Sequence, residues 1–321
     1  MYFLTEEERK RLLKGLIPKS RQNEVNEDLR GWNWNRPPLE PLYDVKLALY
    51  EVASRYCPTG RDLFLRRVHK VKPPPNRAMT LGSVFHDTLV SIMVRAKRLI
   101  YEKGVAGYQE IVQTLREPDP APLERHRASL GDEGFEEVMR RCRIIWEFEA
   151  ARIIARIQEY LAKQPYIGED SLVSLAIPVV VEQKLDGSFL GLSANLSADA
   201  FTFSEPMVLD LKFGDRRPFH RLTTAGYALV MEALHEYPIN VGCLIYAEFR
   251  EDRLVISKDF HLIDDEVRQW FIEERDEKMR MIAEEIDPGR ADDCHPACPY
   301  HPTCWPSDGR QPGPRSRRSG N

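Results

Sequence analysis

The sequence predicts an α+β protein with an α/β core, a helical first part and a cysteine-bearing C-terminal segment. Three observations carry this prediction. Long amphipathic patterns dominate up to Lys163; β-branched residues crowd into short runs from Asp170 onward; and Cys294, Cys298 and Cys304, three of the six cysteines, sit together in CHPACPYHPTC. Helical spacing, strand alternation and clustered metal-type residues are the strongest local signals a single chain offers.

Thr5 followed by Glu8 forms a capping-box pattern, which predicts a helix running to about Lys14. GWNWNRPPLEPLYD, rich in proline and aromatic residues, reads as an ordered but irregular connection. A helix is expected from Val45 to Tyr56, ending at the turn-forming Cys57-Pro58-Thr59-Gly60. The basic segment RDLFLRRVHK follows, and Lys72-Pro73-Pro74-Pro75 is a stiff linker. LGSVFHDTLVSIMVRAKRLIY is then an amphipathic helix whose apolar stripe is Val84, Phe85, Leu89, Ile92, Met93 and Ala96. A proline-rich loop at 117–122 divides two helical patterns, the second spanning about Phe135 to Lys163.

LVSLAIPVVVEQ reads as a first strand, Leu185-Asp186-Gly187 as a hairpin turn, and FLGLSANLSADAFTF as a second strand. A turn at Glu205-Pro206 leads to the third strand, MVLDLKFG. RLTTAGYALVMEALHE is a helix, VGCLIYAEF and RLVISKDFHL are the fourth and fifth strands, and a long helix runs from Asp264 to about Ile286. Residues 306–321, polar and Gly/Pro-rich, read as a disordered tail. The expected organisation is a helical extension over 1–56, a domain over 57–305 closed by its cysteines, and that tail.

With 321 residues, 42% of them hydrophobic and 30% charged, the chain has the composition of a soluble globular protein. At this length roughly 75% of the unfolded surface can be buried. The start MYFLTEEERKRLLKG has neither signal- nor transit-peptide character, and no apolar run reaches the ~20 residues of a membrane span. A cytoplasmic location and no membrane partner are therefore expected, and in that compartment six cysteines are not a disulfide framework. The net charge of −4 argues weakly against a nucleic-acid partner, but Arg61, Arg66, Arg67, Lys70 and Lys72 gather in one stretch. A local basic stripe can hold DNA phosphates on an acidic protein; its alternative is a solvated surface.

Strand alternation puts Asp210 and Lys212 on one face, expected to be a solvent-facing strand edge, while Leu211 faces the core. An acid beside a lysine suits phosphodiester hydrolysis. The acid holds a divalent cation that lowers the pKa of water, and the lysine orients the water or offsets charge on the phosphoryl oxygens. Mg²⁺ or Mn²⁺ needs further oxygen ligands. Asp199, brought near by the turn, offers one, and the Leu211 carbonyl offers another. Standing alone, the Asp-x-Lys would be an ordinary salt-bridged pair. At the C-terminus, Cys294-x3-Cys298-x5-Cys304 reads as a set of ligands for Zn²⁺ or an iron–sulfur cluster, and His295 or His301 could replace one thiolate in a zinc site. Cys142 and Cys243 read as buried apolar residues.

Glu182, Gly191, Asp199, Asp210 and Lys212, in that order, resemble the restriction-endonuclease-like PD-(D/E)xK nuclease core in its RecB-like form. That resemblance implies His86, in Gly82-x3-His86, as a further metal ligand beside Asp199, Asp210 and Leu211. It also implies Tyr227 as a catalytic residue with Asp199, Asp210 and Lys212, although Thr223 stands where the pattern has glutamine. With Cys57 and the three C-terminal cysteines, and with GWNW, YCPTGRDLFLRRV and GYALVME, the chain from Gly31 to Trp305 is similar to the CRISPR-associated RecB-like iron–sulfur exonucleases (Cas four), in particular their type I-A branch (Csa one). The resemblance implies an iron–sulfur cluster, of 4Fe-4S type, in preference to zinc. It further implies metal-dependent exonuclease action on single-stranded DNA ends during CRISPR spacer acquisition, alongside the integrase subunits. Two other functions stand beside it: a non-catalytic DNA-binding or assembly subunit built on the cluster and the basic stripe, and the nuclease part of a helicase–nuclease repair complex, which shares these motifs.

Overall fold

The computed structural model of the chain describes residues 1–73, 76–130, 132–202, 206–294 and 298–306. Thr5 and Glu8 form the expected capping box on α1 (Glu6–Arg11), but the helical path continues beyond Lys14. It passes through a π-helical turn, Leu12–Leu16, into α2 (Ile17–Gln22), where Pro18 is tolerated because it falls in a first turn. Of the helix expected over 45–56, only α3 (Leu49–Ala53) forms. Leu47 is instead drawn into a parallel bridge with Leu192. The basic stretch is itself a helix, α4 (Arg61–Arg67), started by Gly60 in the left-handed conformation.

The amphipathic helix α5 (Arg77–Lys103) buries the predicted stripe and begins earlier than expected, capped by Asn76. Then come α6 (Tyr108–Arg116), the single-turn helices α7 (Ala121–Glu124) and α8 (Arg127–Leu130), and α9 (Asp132–Lys163). LVSLAI, read as the start of a strand, closes α10 (Glu169–Ala176). Its buried residues, Leu172, Val173 and Ala176, follow helical spacing, and Glu169 and Asp170 favour a helix N-terminus.

The sheet runs β1 (Val180–Leu185), β2 (Leu196–Thr202), β3 (Met207–Phe213), β4 (Val241–Arg250) and β5 (Arg253–Leu262), in that spatial order. All neighbours are antiparallel except β3 and β4, which run parallel and are joined through α11 (Arg221–His235). The second strand is shorter than expected because Ser188–Leu190 forms a 3-10 turn and Gly191 takes φ 72°. A Cβ at Gly191 would lie 2.2 Å from the Met279 side chain, so both conformation and space require glycine. α12 (Asp265–Ala283) returns across the molecule, and the short α13 (His301–Cys304) ends the described chain. The expected turn at Glu205, the alternative ligand His295 and the tail from residue 307 lie outside the described residues.

Helices cover both faces of the sheet. One apolar cluster joins α5 and α9 to Leu209, Leu211 and Ile245, and it also takes in Met1, Tyr2 and Phe3. The other joins α11 and α12 to Ala198, Phe201 and Val208. As an inner strand with cover on both sides, β3 is not a solvent-facing edge, and Asp210 is only 3% exposed. No described helix is long and apolar enough to cross a membrane.

Between α11 and α12 the Glu232 carboxylate is completely buried. It accepts from Arg268 at 2.7 and 2.8 Å, from Arg30 at 2.9 Å, and from the Gly31 and Ile239 amides at 3.0 and 2.9 Å. Removing one partner of a buried ion pair typically costs about 3–5 kcal/mol because the other charge is stranded. Glu232→Ala should therefore lower unfolding stability by about that much in a denaturant titration; a loss below about 1 kcal/mol would show that water replaces the carboxylate easily.

Candidate active site

The candidate site lies where β2 parts from β3. Their ladder is formed by Ala200↔Leu209, Phe201↔Val208 and Thr202↔Met207. Just beyond it, the Asp199 carboxylate accepts the Leu211 amide at 2.9 Å. The amide and carbonyl of one strand residue project to the same edge, so the Leu211 carbonyl also faces the β2 side, as a ligand must.

α5 brings His86 to this opening, and β1 brings Glu182. The His86 Nε2 lies 2.6 Å from Glu182 Oε1, and its Nδ1 lies 3.9 Å from Asp199 Oδ2. One ligand-type atom from each of His86, Glu182 and Asp199 falls within 4.8 Å of the others. Glu182 has φ 52°, unusual inside a strand and strained for a side chain of this kind. Burial would pull the His86 pKa down, but the carboxylates of Glu182 and Asp199 outweigh it and raise it to about 9. The hydrogen bond from His86 in turn lowers Glu182 to about 2. Without a metal, a protonated imidazole thus supplies the positive charge between two carboxylates.

Asp210 lies across the β2–β3 boundary from Asp199. Its carboxyl is pushed up to about 6, chiefly by burial, with Asp199 adding to the rise and Lys212 opposing it. The Lys212 ammonium stands 2.9 Å from Oδ2 and 3.2 Å from Oδ1; Oδ2 has no well-formed hydrogen bond. Burial disfavours the lysine charge, but Asp210 and then Asp199 more than compensate, so Lys212 is held above its ordinary pKa. An unsatisfied buried carboxylate oxygen, a half-buried histidine and two further carboxylates form a donor set that fits a hard divalent cation.

The other predicted residues fall in three places. Tyr227, on α11, donates its hydroxyl to the Ser197 carbonyl at 2.5 Å, while the Ser197 hydroxyl donates to Glu182 at 2.6 Å. Its phenol is therefore occupied in holding the β2 backbone behind the carboxylates, one step back from where a reacting group would stand. Thr223, one helical turn earlier, is buried.

Arg61 is not on a phosphate-facing surface: it is buried and grips Asp287 at 2.7 and 2.8 Å. Arg66 and Arg67 lean on the buried Glu51 at 2.9 and 3.4 Å, and Arg67 also donates to the Lys46 carbonyl. Lys70 and Lys72 remain exposed. The acids that neutralise these arginines are distant in sequence or on another helix, so the basic run could not disclose them.

The C-terminal cysteines do meet the start of α4. Leu65 packs with Tyr300 and Cys304, with Cys298 alongside. The Cys294 thiol is raised by burial and then by Cys298, Cys304 and Cys57, so all four thiols share one neighbourhood. Four convergent sulfurs fit a thiolate-ligated metal group. Cys142 and Cys243 are buried in the larger apolar cluster, away from this group.

Two residues of the site's surroundings carried no signal in the sequence. Tyr2 is buried with no hydrogen-bond partner for its hydroxyl, and the Asp199, Asp210 and Glu182 carboxylates add to the rise that burial gives its phenol. His220, also buried, bonds to the hydroxyls of Tyr56 and Tyr246 at 3.0 and 3.1 Å, and burial lowers its pKa to about 4. Glu182 did carry a signal, its place in the order of motifs, but its alignment with His86 and Asp199 required the fold.

The family model described as CRISPR-associated exonuclease Csa1 matches residues 1–306. Two proteins named CRISPR-associated exonuclease Csa1 are similar over most of their length. The one from Saccharolobus solfataricus is 31% identical over 303 residues, covering 92% of this chain and 97% of its own. The one from Thermoproteus tenax is 30% identical over 283 residues, covering 88% and 92%. By these matches, spanning nearly all of what the structure describes, the chain belongs to the CRISPR-associated exonuclease Csa1 family.

Proposed function

We propose that the protein is a metal-dependent DNA exonuclease of PD-(D/E)xK type, acting on single-stranded ends during CRISPR spacer acquisition beside the integrase subunits. The observation that carries the chemistry is the convergence of His86, Glu182 and Asp199 within 4.8 Å, next to the buried Asp210 and its half-buried partner Lys212. The name shared by both relatives supports the exonuclease reading.

In this reading His86, Glu182, Asp199, Asp210 and the Leu211 carbonyl hold Mg²⁺ or Mn²⁺. When bound, the cation supplies a nucleophile at neutral pH and polarises the phosphate. Lys212, anchored by Asp210, offsets charge developing on the phosphoryl oxygens. Tyr227 positions β2 by its bond to Ser197. Lys70 and Lys72 contact DNA phosphates, whereas Arg61, Arg66 and Arg67 shape the helix that bears Cys57's neighbours. Cys57, Cys294, Cys298 and Cys304 hold an iron–sulfur cluster.

Lys212→Ala should lower Mn²⁺-dependent cleavage of an end-labelled single strand by at least about a hundredfold. Asp210→Asn and Asp199→Ala should reduce it as severely by opening the cation site. Wild-type turnover in all three would refute the assignment. Asp210→Asn also separates chemistry from folding. The Asp210 carboxyl is raised in the folded state, to about 6, so between the unfolded and folded pKa values the native protein binds more protons. Its ionisation therefore costs stability that is regained as pH falls below about 6, so in chelator at pH 8 Asp210→Asn should melt no lower than wild type, and this advantage should shrink towards pH 4. Inactivity accompanied by a large drop in thermal midpoint at pH 8 would instead mark Asp210 as a folding residue.

The cysteine assignment has its own test. Cys57→Ser should lose bound iron and fall in thermal midpoint together with Cys298→Ser, since metal binding here is also folding free energy. Cys142→Ser and Cys243→Ser should keep their iron. Full iron content in Cys57→Ser would remove that residue from the cluster.

A further inference from the structure

Tyr56 stands between the two centres: it precedes Cys57 in sequence and reaches towards Lys212 through space. Across the parallel pair, Lys212 is registered with Tyr246. The Tyr246 hydroxyl bonds to His220 Nδ1 at 3.1 Å, and His220 Nε2 bonds to the Tyr56 hydroxyl at 3.0 Å. His220 and Tyr246 are buried, but Tyr56 is 68% exposed. Phe219 meets the Tyr56 ring edge-on, with centroids 5.0 Å apart at 85°. An exposed aromatic ring is thus held at its hydroxyl and by one aromatic neighbour.

Stability does not account for this arrangement. Fixing an exposed tyrosine costs side-chain entropy, and little apolar area leaves water in return. A hydrogen bond from an exposed hydroxyl also competes with solvent and contributes modestly. What the tether does provide is a ring of set orientation whose remaining surface is open. Cations lie at the far end of the tether. The Arg216 guanidinium covers the Tyr246 ring at 5.3 Å, and Arg217 is half exposed and only loosely paired with Asp215 at 3.5 Å. A fixed aromatic ring, tethered through His220 to the Tyr246 ring that Arg216 covers and that is in register with Lys212, matches the elements that hold an unpaired nucleic-acid strand: stacking for the base and positive charge for the backbone.

We propose that Tyr56 is a base-stacking platform that holds an unpaired nucleobase of the DNA strand while its phosphodiester lies at Asp210 and Lys212. The inference rests on the nuclease reading of that site. Tyr56 is a positioning residue, and its ring, oriented by His220, sets how far the strand end advances.

Single-stranded oligonucleotides carrying 2-aminopurine at successive positions from either end report stacking as fluorescence quenching. They are bound to the full-length Asp210→Asn chain, which does not cut them. Quenching should concentrate at one position near one end. Adding Tyr56→Leu should abolish that quench and weaken binding about tenfold, within the range measured for loss of one base–aromatic stack. Adding Tyr56→Phe should retain both the quench and most of the affinity, which a merely structural hydroxyl would not. Unchanged quenching and affinity in Tyr56→Leu, or equal losses in Tyr56→Phe and Tyr56→Leu, would overturn the platform while leaving the nuclease reading intact. No cleavage by the wild-type chain with Mn²⁺ and no oligonucleotide binding by the Asp210→Asn chain would overturn both.

Discussion

The geometry of the site depends on how one irregular segment is fastened to α12. Residues 29–47 have almost no regular structure with which to pair their backbone, yet they must lie against the sheet beneath the β1–β2 hairpin. Two arginines of α12, Arg268 and Arg275, supply the missing donors. Arg268 donates to the Leu29 carbonyl at 3.1 Å while holding Glu232, and Arg275 donates to the Leu39 and Leu190 carbonyls at 2.6 and 3.3 Å. Seven residues apart, they fall on one face of the helix. Gly31 lets this segment reach α11, since a Cβ there would sit 2.0 Å from the Leu229 carbonyl oxygen. Once fastened, the segment delivers Leu47, whose amide donates to the Gly191 carbonyl and whose carbonyl accepts from the Ser193 amide. That contact fixes the start of β2 and so the place of Asp199.

The fastening is needed because the site opposes it. Glu182, Asp199 and Asp210 are three carboxylates in close company, one of them buried, and the positive charges bonded to them are His86, Lys212 and the exposed Lys184, 3.5 Å from Glu182. Burial first, and then the like charge of Asp199, raises the Asp210 pKa. An unusual φ at Glu182 adds backbone strain. The structure tolerates this locally because the surrounding apolar clusters and the Glu232 network hold both sheet faces. Such concentrated cost is characteristic of a functional site, since residues placed only for stability would avoid it.

Much of this was legible in the sequence, and the failures follow a physical pattern. The five strands, the helix between β3 and β4, and the apolar stripe of α5 follow from periodicity, a property of neighbours along the chain. LVSLAI failed because β-branched composition and helical spacing disagreed there, and burial on α9 decided in favour of spacing. The basic stretch at 61–70 failed differently. Its charges were correctly seen, but Asp287 and Glu51, which neutralise Arg61, Arg66 and Arg67, are brought to it only by folding. In the same way, Asp210 looked solvent-facing because alternation cannot distinguish an edge strand from an inner one. Candidate residues were named where they belong to ordered motifs; Tyr2 and His220 belong to none, and Tyr56, although it opens YCPTGRDLFLRRV, carried no chemistry of its own along the chain.

The proposed cluster and the proposed catalytic site are mechanically connected through the residues around Tyr56. Lys278 of α12 donates to the Val52 and Ser54 carbonyls at 2.7 and 2.9 Å, holding the chain just before Tyr56. Just after it, Thr59 donates to the Gly289 carbonyl at 2.9 Å, and Arg61 grips Asp287. Cys57 lies between these two attachments, so thiolate ligation there would add a further tie between the segment and the C-terminal residues. Because Tyr56 bonds to His220, and His220 to the cross-strand neighbour of Lys212, any play at Cys57 would be passed to the mouth of the site. A metal group far from the scissile bond can then matter to cleavage without electron transfer, by holding rigid the turn on which the DNA strand would rest.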